Sequence, residues 1–279
     1  MNKRRQSIGL ALLIAAVAAL ALPAARAQGQ GQAESQKQTR AQLNVITSGG
    51  FAAPLQVLQP EFEKSTGINV TVTRGASQGS GPDTIGAQLR RGVAADVVIM
   101  SREGLDDLIA EKKIVAGSDV NLGQTPLGMA VRAGAPKPDI RTVEAFKQTM
   151  LRAKSVTFPG STTGIYMVKK LFLQLGIASE MAPKTTSTGV AAVAKGDAEI
   201  AVQPVSELLH VPGTEFVGTL PKEIQYVSVF SAAMVAGSNE AKAVPAARDQ
   251  VARKLLDFLT SEKAKAAIRA SGMEPVKAR

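Results

Sequence analysis

The strongest constraint on the fold is an alternation of two periods. From Leu43 onward, short β-rich runs take turns with longer stretches whose apolar residues recur at helical spacing. Residues 43–47 (LNVIT), 68–73 (INVTVT) and 96–100 (DVVIM) read as strands. The second alternates with period two, and the third is an apolar run of the kind buried on both faces. Between them, Leu55, Leu58 and Phe62 fall at helical spacing within 54–65, and 85–91 and 104–112 read as further helices. Strands alternating with helices predict βαβ units, an α/β class with parallel-type sheets flanked by helices.

The second half repeats the theme. Residues 155–158 predict a strand, 164–175 a helix stopped by Gly176, and 198–203 another strand. Two apolar runs, 126–134 (PLGMAVRAG) and 230–237 (FSAAMVAG), resemble one another and end in turns; they are expected to carry the chain between two lobes and back. Helices at 243–260 and 261–271 close the chain. The expected layout is a discontinuous first lobe, 41–125 plus 232–279, and an inserted second lobe, 126–231.

The first residues bear on compartment. Lys3, Arg4 and Arg5 precede an uninterrupted apolar run at 8–22, followed by Pro23 and Ala25-Arg26-Ala27. That is the layout of a secretory signal peptide cleaved after Ala27, and the run is short for a membrane span. The chain contains no cysteine, which excludes disulfides and lipid attachment through a cysteine. Residues 28–40 (QGQGQAESQKQTR) are polar and expected to form a disordered lead-in. Export to a periplasm as a monomer is the expectation. Four cations leave with residues 1–27, reducing the net charge from +10 to about six. The remaining basic residues are interleaved with acids and lack the aromatic spacing of a nucleic-acid surface, so the charge points at most to a small anionic ligand.

Four loops follow strands and precede helices: Thr47-Ser48-Gly49-Gly50, the stretch 74–84 (RGASQGSGPDT), Gly160-Ser161-Thr162-Thr163-Gly164, and Gln203-Pro204-Val205-Ser206-Glu207. Loops at the carboxyl ends of parallel strands are where open α/β sheets take ligands, and helix N-termini there favour anions. Ser48, Ser77 and Thr162 are the leading candidate contacts, with Gly49, Gln78, Ser161, Thr163, Gln203 and Ser206 beside them. Each hydroxyl has an alternative use as a helix N-cap. Arg74 has the fork to hold a carboxylate or is a surface residue at a strand end, and Tyr166 either reaches the cleft or packs on its helix. The stretch 74–84 has no Lys and lacks Walker spacing, so it is not a nucleotide loop. His210 is the only histidine, and without cysteine no metal centre or nucleophilic triad is expected; no cofactor is predicted.

Residues 68–101 (INVTVTRGASQGSGPDTIGAQLRRGVAADVVIMS), 156–177 (VTFPGSTTGIYMVKKLFLQLGI), 195–202 (KGDAEIAV) and 255–275 (LLDFLTSEKAKAAIRASGMEP) resemble, in order, the periplasmic solute-binding proteins of the molybdate-binding type. The resemblance implies a type II periplasmic binding fold, two α/β lobes joined by two hinge crossovers, with a ligand clamped between them. It also implies capture of a small anion, a carboxylate or an oxyanion such as molybdate, for the permease of an ABC-type importer. The enlarged 74–84 loop and the segment QPVSELLHVPG at 203–213 depart from the molybdate pattern and favour an organic acid. Molybdate-binding-like chains that carry both segments form a subgroup that resembles periplasmic aconitate isomerase. That alternative implies an allylic proton shift, with Glu207 as acid–base candidate and His210 or Tyr166 behind it. Because no catalytic pair is visible in the residues, capture is the first expectation and catalysis the second. Mass spectrometry of the exported protein is expected to find Gln28 at its N-terminus; a chain retaining residues 1–27 would mark the apolar run as an anchor instead.

Overall fold

In the computed structural model, which describes residues 41–209, 211–237 and 245–276, the first half follows the alternating pattern closely. Strand β1 (Gln42–Thr47), helix α1 (Ala52–Thr66), β2 (Asn69–Arg74), α2 (Ile85–Arg90), β3 (Val97–Ser101) and α3 (Arg102–Ala110) succeed one another. Both β2 and β3 pair with β1 in parallel. Helix α1 stops at Gly67, which takes the left-handed conformation at φ 71° that ends helices readily.

The long strand β4 (Val120–Arg132) opens the second half. Then come α4 (Val143–Arg152), β5 (Val156–Thr157) and α5 (Thr162–Tyr166), which runs through a π-helical turn at Met167–Leu171 into α6 (Phe172–Gln174). Next are α7 (Ala178–Met181), β6 (Thr185–Thr186), α8 (Val190–Lys195), β7 (Ile200–Pro204), α9 (Val205–Leu208) and β8 (Thr214–Thr219). Strand β9 (Val227–Met234) returns to the first half, and α10 (Pro245–Leu259), α11 (Glu262–Ala270) and the short β10 (Glu274–Pro275) finish the described chain.

The strand order is β2-β1-β3-β9-β4-β7-β5-β6, with β8 and β10 also on β4. The sheet is mixed rather than parallel throughout, because β9 runs antiparallel to β3 and β4, and β4 antiparallel to β7. Strand β4 pairs with β9 over residues 120–126 and with β7 and β8 over residues 127–132, so one strand serves both halves.

Side-chain alternation then sets the layers. On β3, Val97 and Ile99 enter a core with Phe51, Phe62, Leu255 and Ile268, whereas Val98 and Met100 face a smaller core with Ile85 and Leu105. On β7, Ile200 and Val202 join Leu127, Phe146, Met167 and Phe172, while Ala201 turns to Val193 and Leu208. Each half therefore has helices on both faces of its strands. The Asp96 carboxylate accepts the Asn44 N–H at 2.7 Å and pairs with Arg248 at 2.6 Å, tying α10 back to the first strands.

The 75–84 loop packs against α3 within the first half. Its backbone approaches α3 so closely that a Cβ on Gly104 would sit 2.3 Å from the Ser77 carbonyl oxygen. Gly104→Ala is expected to lower thermal stability by overpacking, on the order of 1–3 kcal/mol, because the obstructing atom belongs to backbone. Amide hydrogen exchange at 76–84 should quicken in the same variant; unchanged exchange there would show that the loop does not depend on this contact.

Candidate functional site

The carboxyl ends of β1, β3, β5 and β7 point to one interlobe cavity of about 600 Å³. Ser48 and Gly49 come from the turn after β1, and Ala76, Ser77, Ser80, Asp83 and Thr84 from the loop after β2. Ser101 ends β3. The opposite wall carries Pro159 to Thr163 after β5, Ser187 to Ala191 after β6, and Gln203, Pro204 and Glu207 at the end of β7. Ser228 and Phe230 of β9 complete the lining. Eleven hydroxyl side chains line the cavity and no Lys, Arg or His does so among the described residues, so neutral donors must do most of the work on any anion.

Hydrogen bonding separates the hydroxyls that hold structure from those left for a ligand. Thr84 caps α2 by accepting from Ala87 N–H, and Ser101 caps α3 by accepting from Gly104 N–H. Ser48 and Ser161 occupy N-cap positions yet make no side-chain cap bond. Ser48 Oγ is buried without any partner, and Ser161 Oγ receives only a long 3.4 Å bond from Gln78 N–H. Capping therefore accounts for Thr84 and Ser101 but not for Ser48 or Ser161.

Several expected contacts join the two walls instead. Thr162 Oγ1 donates to Gln78 Oε1 at 3.1 Å and lies 2.9 Å from Ser101 Oγ. Gln78 Nε2 donates to Asp107 on α3 at 2.9 Å, and Ser77 Oγ accepts from Ser101 N–H at 2.9 Å. Thr163 is buried on the cavity wall. Ser206 is buried with its hydroxyl unpartnered, but it stands outside the lining.

Of its two expected placements, Tyr166 takes the packed one. It lies away from the cavity: its hydroxyl donates to the Ile224 carbonyl at 2.8 Å and its ring stacks on Tyr226 at 4.9 Å. Its ring belongs to the second core, where burial raises the phenol pKa. Arg74 is exposed at the end of β2 and outside the lining, although its charge acts on Glu207. His210 lies outside the described residues.

Glu207 is the chemically distinctive group. It sits in the first turn of α9, facing the Ser48–Gly49 turn, where a Cβ on Gly49 would stand 3.3 Å from its carboxyl; glycine permits that approach. Burial pushes the carboxyl from the usual 4.5 up to about 7, against the opposing effects of a hydrogen bond from Gln203 and the charge of Arg74. Gln203 Nε2 donates to Oε2 at 2.6 Å. A carboxyl titrating near neutrality in a polar cavity suits proton transfer in either direction. Among the described residues, no group of three His, Asp or Glu converges to hold a metal.

The residues missed in the sequence are Ser101, Asp83, the Ser187-Thr188-Gly189 turn and Ser228. Ser101 carried a usable signal, since it ends a buried strand and begins a helix.

Because Glu207 holds its proton more tightly folded than unfolded, its contribution to stability is complete below about 4.5 and is lost as pH rises through about 7. Glu207→Gln is therefore expected to gain stability relative to the native protein as pH goes from 5 to 8, by on the order of 3 kcal/mol at most. Thermal melts at both pH values check this, and a difference independent of pH would contradict it.

Residues 43–274 match the family of bacterial extracellular solute-binding proteins. An aconitate isomerase from Pseudomonas sp. is 38% identical over 240 residues, spanning 85% of this chain and 88% of that protein. Among solved structures, the periplasmic molybdate-binding protein of Azotobacter vinelandii superposes with a TM-score of 0.67 at 17% identity, over 84% of this chain and 100% of that one. A periplasmic thiamin binding protein superposes at 0.61 with 18% identity, over 85% and 84%. At such identities the two structures speak for the fold alone, whose two lobes enclose the cavity just described. The chain belongs to the bacterial extracellular solute-binding protein family.

Proposed function

We propose that the interlobe cleft takes a small polycarboxylate and that Glu207 moves a proton on it, interconverting trans- and cis-aconitate. The observation that carries this is Glu207 itself, a carboxyl brought to about 7 on the wall of a cavity otherwise rich in hydroxyls. The aconitate isomerase similar over most of the chain supports the same substrate class.

The reaction moves one proton and one double bond. Glu207 as carboxylate removes a proton from the methylene carbon. The resulting allylic carbanion spreads its charge onto the adjacent carboxylate, and the protonated Glu207 returns the proton to the far alkene carbon. Donors preorganised around the developing charge lower the barrier, a role suited to Ser48, Ser161, Thr163 and the glycine-rich backbone around them. Gln78 and Thr162 tie the walls together around the ligand, and Ser77 braces the first wall by accepting from Ser101 N–H. Arg74, exposed at the end of β2, attracts polyanions and favours the charged form of Glu207.

Membership in the solute-binding family favours a second reading, in which the same cleft captures the anion unchanged and delivers it to the permease of an ABC-type importer. Both readings put the protein in a periplasm, exported by the segment at 1–27. No helix among the described residues is long and apolar enough to cross a membrane.

Purified protein lacking residues 1–27 would be incubated with trans-aconitate and the cis isomer measured. Turnover that falls at least a hundredfold in Glu207→Gln is expected. In parallel, thermal shifts would be recorded with both aconitates, citrate, sulfate, molybdate and tungstate. Stabilisation by aconitate without turnover would leave the carrier reading. Stabilisation by oxyanions alone would overturn the polycarboxylate.

A further inference from the structure

We infer that Gln203 is a positioning residue whose amide fixes which oxygen of the Glu207 carboxyl carries the proton. The inference rests on Glu207 being the group that moves protons. It assigns to Gln203 a role different from the ligand contact that its place in the sequence suggests.

Gln203 is 3% exposed at the carboxyl end of β7, and both ends of its amide are engaged. Its Oε1 accepts the backbone N–H of Val190, the first residue of α8. Its Nε2 donates to Glu207 Oε2 at 2.6 Å. Since the Val190 N–H is only a donor, the amide oxygen must face it, and the amide NH2 must then face the carboxyl. The turn that presents Val190 is itself held, with Gly189 N–H donating to Thr157 Oγ1 at 2.9 Å. The amide therefore cannot reverse without placing donor against donor at one end and acceptor against acceptor at the other.

An NH2 group has no lone pair to offer, so Glu207 Oε2 acts as an acceptor in both protonation states. In the neutral carboxyl the proton then resides on Oε1, and in the carboxylate Oε1 is the basic atom left for a substrate. Both carboxyl oxygens lie close to Gly49, at 3.3 and 3.4 Å from where a Cβ would stand, so the carboxyl as a whole abuts the Ser48–Gly49 turn. The other charged groups facing this region are Arg74, from the end of β2, and Asp83, on the loop before α2. Neither reaches Glu207 within hydrogen-bonding distance among the described contacts, so orientation falls to Gln203.

The test uses protein labelled with ¹³C at glutamate carboxyls, the Glu207 signal being identified by its loss in Glu207→Gln. In Gln203→Met, which keeps the volume and removes the amide, the Glu207 midpoint is expected to rise by roughly one pH unit. The acidic limb of the kcat/KM profile for aconitate should move the same way, with kcat falling roughly tenfold or more and KM little changed. Val190→Pro is the second variant. It removes the N–H that locks the amide at a helix position that accepts proline, and a smaller shift of the same sign is expected. An unmoved midpoint in both variants, or in Val190→Pro alone if Gln203→Met does not fold, overturns the inference. The titration needs no turnover, so absence of isomerase activity in the native protein would sink the reaction while leaving the orienting role of Gln203 measurable.

Discussion

Everything in this molecule depends on the antiparallel pairing of β4 with β9. The first seven residues of β4, 120–126, bond to β9, and the remainder to β7 and β8. One continuous strand thus contributes Leu122 to one core and Leu127, Met129 and Val131 to another. Strand backbones buried on both faces leave few alternatives for their N–H and C=O groups. With the shared strand fixed, the parallel strands of each half project their carboxyl ends toward the same gap. The site is a consequence of that geometry rather than of any one motif.

Within the gap, polar side chains divide between joining the lobes and facing the cavity. The Gln78–Thr162–Ser101 chain spans from α3 to α5 and consumes groups that look like ligand contacts in isolation. A second bridge lies near the return crossover, where the Tyr226 hydroxyl donates to Glu103 of α3. Its phenol pKa is raised by burial and by that carboxylate, so it stays a donor over the whole useful pH range. Ser48 and Glu207 remain uncommitted to such bridges. The walls packed around Glu207 limit its contact with water and so raise its pKa.

The strands at 43–47, 68–73 and 96–100 were legible because their periodicity is local and their neighbours in the sheet are near in sequence. Other elements were not. Strand β8 (TEFVGT) contains a glycine and a single strong apolar pair, and it is a strand because β4 offers it an edge. The antiparallel sense of β4 and β9 depends on where the chain returns, which no window of residues records. At the site, Glu207 was legible from its place after a strand, as were Ser48 and Ser161 from theirs. The sequence offers Gln203 only as a ligand contact, because its two partners, Val190 and Glu207, meet only in the fold. For Tyr166 the sequence leaves cleft and packing open, because the partners that hold its hydroxyl and ring, Ile224 and Tyr226, are distant in sequence.

Among the described residues, the cavity wall carries hydroxyls and no basic side chain. A guanidinium holds its donors in a fixed plane and suits an anion of one shape. A hydroxyl turns about its C–O bond and serves as donor or acceptor as required. A wall built from serine and threonine is therefore a set of rotors, able to follow acceptor atoms that change position while the ligand stays in place. Such a wall does not need to choose between two geometric isomers.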